Sequence, residues 1–173
     1  HWLNPIYLSI PQVAKQLQLT PHLNTWLTQH QHQPHIQALR DAATIDYQAV
    51  WTLKHTALRT LFSLFEQQAH PDFEHFIQQH GKSLYGFALF ETLDNHFAHP
   101  IQQGWLGWAS DYHHPDNPAV QAFAVKHATD IRFYMWLQWL CACQMQACQH
   151  PNLKLGLYGD LAVGTARGSA DTW

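Results

Sequence analysis

The chain has 173 residues, of which 46% are hydrophobic and 13% aromatic, so it can build a core and is not a disordered polymer. Charged residues make up only 12%, and 9 basic against 12 acidic side chains give a formal net charge of −3, with Gln and 15 His taking the place of the missing charges. These values exclude a basic nucleic-acid binder. No apolar run reaches the roughly 18 residues that cross a bilayer, and His1-Trp2-Leu3-Asn4-Pro5 does not open a signal peptide.

In chain order, Ser9-Ile10-Pro11-Gln12 reads as a capping box ahead of a helix carrying Val13, Ala14 and Leu17. Thr20-Pro21 starts a second short helix with the stripe Leu23, Trp26 and Leu27. A Gln/His/Pro segment from Gln29 to Pro34 precedes a third, with Ile36 and Leu39. The strongest periodicity runs from Asp46 to about Gln68, through Val50, Trp51, Lys54, Leu58, Leu61 and Phe65. Lys54 lies on that apolar seam, so it either snorkels or pairs with something buried. A helix around Phe73, Phe76 and Ile77 is expected to stop at His80-Gly81, and another runs from about Ser83 to Phe97. A loop rich in Gly, Trp, Pro and His extends from His99 to Pro118, where Asn117-Pro118 opens a helix. The most apolar helix follows, from roughly Thr129 to Gln149. Leu153 to Tyr158 alternates and is short, so it reads as a strand ending at Gly159-Asp160, with a glycine-containing loop from Leu161 to Trp173.

Several residues invite a chemical reading. The His pairs and triplets lie among Gln and Pro, with no acidic or Cys partner at metal-ligand spacing, so no metal site is assigned. Cys141 and Cys143 point about 200° apart on a helix and cannot share an ion. Together with Cys148 they form a poor disulfide framework; small hydrophobes in a reducing cytoplasm is the simpler reading. The aromatic stripes read as core, with Trp105 and Trp108 in their Gly-containing loop the better candidates for an exposed platform. Asp160, at the end of the expected strand, is the sharpest single residue: either a turn aspartate or a site residue. No paired-carboxylate motif, Ser/His/Asp arrangement or phosphate-cradling loop is present, so no catalytic residue is assigned.

Four blocks resemble one known family. Gly156-Leu157-Tyr158-Gly159-Asp160-Leu161-Ala162-Val163-Gly164, followed by Gly168-Ser169-Ala170-Asp171-Thr172-Trp173, is similar to a block of the 4-α-glucanotransferases of glycoside hydrolase family 77. Trp2-Leu3-Asn4-Pro5-Ile6-Tyr7, Leu53-Lys54-His55-Thr56-Ala57-Leu58-Arg59 and Phe133-Tyr134-Met135-Trp136-Leu137-Gln138-Trp139-Leu140 resemble three more, in the same order. Gly159 stands where close relatives have Arg, and Trp105-Leu106-Gly107-Trp108-Ala109 lacks the family's Pro. The resemblance implies a mostly α chain with a few short strands. It would be part of a (β/α)8 barrel with its helical insertion: residues 1–128 in the insertion, and 129–173 a barrel helix, a barrel strand and an active-site loop. It implies transfer of α-1,4-glucan segments between maltooligosaccharides, with no cofactor, no nucleic-acid or membrane partner, and a cytoplasmic setting. It gives Asp160 a substrate-contact role, not that of nucleophile. The family's R-I-D-H, E-D-L-G and H-D blocks, which carry its carboxylates, do not occur here, so the chain is expected to be an inactive fragment. The alternative from another class is a non-enzymatic helical module that binds carbohydrate or protein.

Overall fold

In a computed structural model the described residues are 2–29, 32–97, 104–149, 156–157, 159 and 164–173. They hold seven α-helices: α1 (Ile10–Gln16), α2 (Thr20–Thr28), α3 (His32–Asp41), α4 (Tyr47–Phe65), α5 (Pro71–His96), α6 (Pro118–Lys126) and α7 (Ala128–Ala147). Short 3-10 turns occupy Pro5–Tyr7, Gly104–Gly107 and Ser110–Tyr112. The chain divides into two compact units, Leu3–His70 and Pro71–Trp173, the latter joined by Trp2.

The first unit is built from α1–α4. Asp46 caps α4, accepting a bond from the Ala49 amide at 2.9 Å. One face of α4 then buries Leu58, Leu61, Phe62 and Phe65, each contributing about 1.5–3 kcal/mol of burial. Ser9 does sit at the N-cap of α1, but makes no capping bond to that helix. The helix ends through Gln18, held at φ 58 in left-handed space. α3 begins at His32, inside the Gln/His/Pro segment expected to be a linker. Pro34 is tolerated there because the first turn has no use for its missing amide. Lys54 takes the second of its two expected roles and pairs with part-buried groups, here backbone carbonyls. Its ammonium donates to the carbonyls of Ile6 at 2.6 Å and Leu8 at 2.9 Å, which ties the Pro5–Tyr7 turn to α4. Burial pulls its pKa below the ordinary lysine value.

The second unit is organised around α7. Phe133 through Cys141 are buried without interruption, so every face of the helix is covered, and Trp136 is the largest side chain fully removed from water. α5 supplies much of the cover, through Phe73, Leu84, Ala88, Leu89, Phe90 and Leu93. As expected, its first helical stretch stops at Gly81. Gly81 interrupts it at φ 49, ψ −128, and the chain resumes as helix beyond this kink. A Cβ there would meet nothing within 4 Å, so it is the backbone angle, not space, that favours glycine. Arg132 of α7 pairs with Glu74 of α5 and lies 4.8 Å from the centre of the Phe73 ring.

The expectation of a few short strands and a partial (β/α)8 barrel is overturned. Among the described residues there is no strand and no sheet; the architecture is helical throughout. Most of the expected strand, Leu153–Leu155 and Tyr158, lies outside the described residues, and the described Gly156 and Leu157 are not in a ladder. Gly156 has φ 69, left-handed backbone that breaks extended pairing. A strand also needs neighbours to satisfy its amides and carbonyls. Here the surrounding apolar sequence has the 3.6-residue period, and it packs helix on helix.

Candidate functional site

In the second unit the segment 164–173 folds back onto the loop 104–113. The Trp105 amide donates to the Gly168 carbonyl at 3.4 Å, and the Trp105 indole to the Thr172 hydroxyl at 3.2 Å. The Trp173 indole donates to the Tyr112 carbonyl at 2.9 Å. The two backbones approach most closely at Gly104, where φ is 54 and a Cβ would stand 1.8 Å from the Gly168 oxygen. Only glycine satisfies both conditions. The Trp173 ring lies 5.7 Å from Phe90 and 5.8 Å from Trp108, while Phe97 is 5.6 Å from Trp108 and 4.8 Å from Tyr112. These spacings are those of edge, tilted and stacked aromatic contacts, worth about 0.5–1.5 kcal/mol each beyond burial.

Two carboxylates border this cluster. Glu91 and Asp94 lie one turn apart on α5, next in sequence to Phe90 and Leu93. Burial, reinforced by the charge of Asp94, pushes Glu91 up to about 7. Burial also raises Asp94, against the pull of the hydrogen bond it accepts from the Trp108 side chain. Near neutrality Glu91 can therefore donate as well as accept a hydrogen bond. Sequence reasoning passed over both residues. The available signal was two acids three apart on the otherwise apolar run Leu89–Leu93–Asp94, but burial depends on the partner surface.

The residues singled out from sequence fare differently. Asp160 lies outside the described residues; the segment four residues beyond it is the one anchored above. Trp108 is 7% exposed, with its carbonyl held by the His113 ring at 2.9 Å, so it is core and not a platform. Trp105 is half-buried. His127 caps the end of α6 and the start of α7, stacks on Phe123 at 4.1 Å and contacts Asp130 at 3.1 Å. His70 stacks on Phe65 at 3.5 Å. Among the described residues no three His, Cys, Asp or Glu side chains stand together as a metal site, and no helix is long and apolar enough to cross a membrane. The three cysteines are unbridged, with Cys141 buried and Cys148 exposed.

Comparison with known proteins gives one answer. The sequence profile of glycoside hydrolase family 77, described as 4-alpha-glucanotransferase, matches residues 1–173. A 4-alpha-glucanotransferase of Haemophilus influenzae is 35% identical, covering 99% of this chain and 27% of that protein. One from Mycobacterium bovis is 29% identical and one from Chlamydia muridarum 27% identical, each over 99% of this chain. The matched region is 24% and 31% of their respective lengths. The chain thus spans 24% to 31% of the length of these relatives. It belongs to the 4-α-glucanotransferase family, glycoside hydrolase family 77.

Proposed function

We propose that the protein containing this chain is a retaining 4-α-glucanotransferase. It moves α-1,4-glucan segments from one maltooligosaccharide to the 4-hydroxyl of another. In such a reaction a carboxylate forms a glycosyl-enzyme intermediate while a second carboxyl group protonates the leaving sugar. A sugar hydroxyl, not water, then collects the chain, which requires a site that binds the acceptor and keeps water out. The observation that carries this reading is the family match along all 173 residues.

The 173 residues contribute to glucan handling but not the two reacting carboxylates. The family's carboxylate-bearing blocks do not occur among them, and they correspond to only 27% of the Haemophilus influenzae relative. Asp160 is a substrate contact: its carboxylate accepts hydrogen bonds from sugar hydroxyls and helps hold the ring in its distorted, reactive shape. The unbridged Cys141, Cys143 and Cys148 are compatible with work in a reducing cytoplasm.

The test is incubation with maltotriose. The complete protein should convert it to a ladder of shorter and longer oligosaccharides, and the 173-residue chain should leave it unchanged. A ladder made by the pure chain would refute the division of labour; no ladder from the complete protein would refute the transferase reading.

A further inference from the structure

The first unit contains a cleft of about 900 Å3, at the upper end of the roughly 300–1,000 Å3 typical of small-molecule sites. It opens between α3 and the surface made by α1, α2 and α4. α3 contributes no buried residue; its apolar side chains Ile36 and Leu39 are half-exposed and line the cleft instead of closing it. Leu23, Leu27, Val50 and Leu53 face them.

The charged residues in the lining are of one sign. Arg40 and Lys54 are cations, and among the described residues no carboxylate lines the cleft. The unit carries Lys15, Arg40, Lys54 and Arg59 against Asp41, Asp46 and Glu66, and none of those acids reaches the lining. Lys54 is the stronger observation. Its ammonium is partly desolvated, yet its hydrogen bonds are to two carbonyl dipoles, Ile6 and Leu8. Two of its three donors are used. A half-buried cation facing an apolar cavity without a counter-charge is a site short of an anion.

Glucan does not fit this chemistry. Sugar faces pack on open aromatic rings, and Trp26 in the lining is 8% exposed with His32 stacked over it at 3.8 Å. We propose that the cleft binds an amphiphilic monocarboxylate: an aliphatic chain lies between α3 and the α1–α2–α4 surface, and its carboxylate sits against Lys54 and Arg40. Binding draws α3 inward and buries Ile36 and Leu39, so the ligand stabilises the first unit.

Calorimetric titration of the complete protein with dodecanoate, below its micelle concentration, tests this. One equivalent should bind saturably. The cation of similar chain length, dodecyltrimethylammonium, should bind at least about tenfold more weakly, since it loses a charge-assisted hydrogen bond and gains repulsion. Arg40→Gln, at an exposed position, should weaken dodecanoate about fivefold, a partly screened effect that shrinks with added salt. Leu39→Glu places a carboxylate on the half-exposed face of α3 and should abolish binding with the helical circular dichroism intact; Lys54 itself is left in place because it ties the Pro5–Tyr7 turn to α4. Equal binding of the two surfactants would overturn the proposal, as would wild-type affinity in both variants, absence of saturable binding, or displacement of dodecanoate by maltoheptaose.

Discussion

Gly104→Ala isolates what holds the 164–173 segment in place. At this position alanine faces two costs. Its backbone must remain at φ 54, which for a residue with a Cβ costs about 1–2 kcal/mol. Its Cβ would also stand 1.8 Å from the Gly168 oxygen and 2.7 Å from the Gly168 carbonyl carbon. Both obstacles are backbone, so no side chain can swing aside, and the two segments must separate by about 1 Å or more to restore van der Waals contact. Separation lengthens the Trp105 amide bond to Gly168, already 3.4 Å, and strains the Trp105–Thr172 bond at 3.2 Å. Each is worth about 1 kcal/mol or less at an exposed site. Together these place the cost of keeping the segment docked near 2 kcal/mol, roughly a thirtyfold increase in its opening equilibrium. Hydrogen exchange read by mass spectrometry should show faster exchange at the Trp105, Ser169 and Thr172 amides, with α7 unchanged. Gly86→Ala is the control: it lies in regular helix with nothing within 4 Å of the new methyl, and should stabilise the protein by about 0.5–1 kcal/mol. Identical exchange in Gly104→Ala and the parent would refute the reasoning.

Glu91→Gln should reveal the half-buried acid. Because the folded protein holds Glu91 protonated up to about pH 7, and the unfolded chain only to about 4.5, its stabilising contribution is complete below pH 4.5 and is lost as pH rises through 7. The amide removes that loss, so the variant should equal the parent near pH 4 and exceed it by about 2 kcal/mol at pH 8 in urea unfolding. Gln18→Gly should raise stability by about 0.5–1 kcal/mol in the same assay, since Gln18 occupies left-handed backbone at φ 58. Burial pushes the Cys141 thiol up to about 12, while Cys148 is exposed. Thiol-disulfide titration at pH 8 should therefore label Cys148 within minutes and Cys141 only after unfolding.

Much of this fold can be read from one sequence because it is made of local periodic signals. The α4 stripe of Val50, Leu58, Leu61 and Phe65 and the cap at Asp46 need no knowledge of the partner surface. The errors arise where tertiary packing decides. His32 to Pro34 is polar and prolyl, yet it is the first turn of α3. Trp108 sits in a loop of the kind that displays aromatics, and is buried by Phe90 of α5, Phe97 just past the end of α5, and Trp173 from the far end of the chain. Glu91 and Asp94 acquire their raised pKa values from that same convergence. The expected strands rested on resemblance and a short alternating run; among the described residues the helical period prevails.

The most direct measurement is transfer of labelled glucose into maltooligosaccharides by the complete protein, with and without Asp160→Asn. The account predicts that the unmodified protein builds label into a ladder of products while releasing little free glucose from the donor. It predicts that Asp160→Asn lowers this incorporation by at least about a hundredfold, with the unfolding midpoint unchanged. Incorporation at the unmodified rate in Asp160→Asn would remove that residue from the site, and free glucose without labelled oligosaccharides would contradict the transferase reading itself.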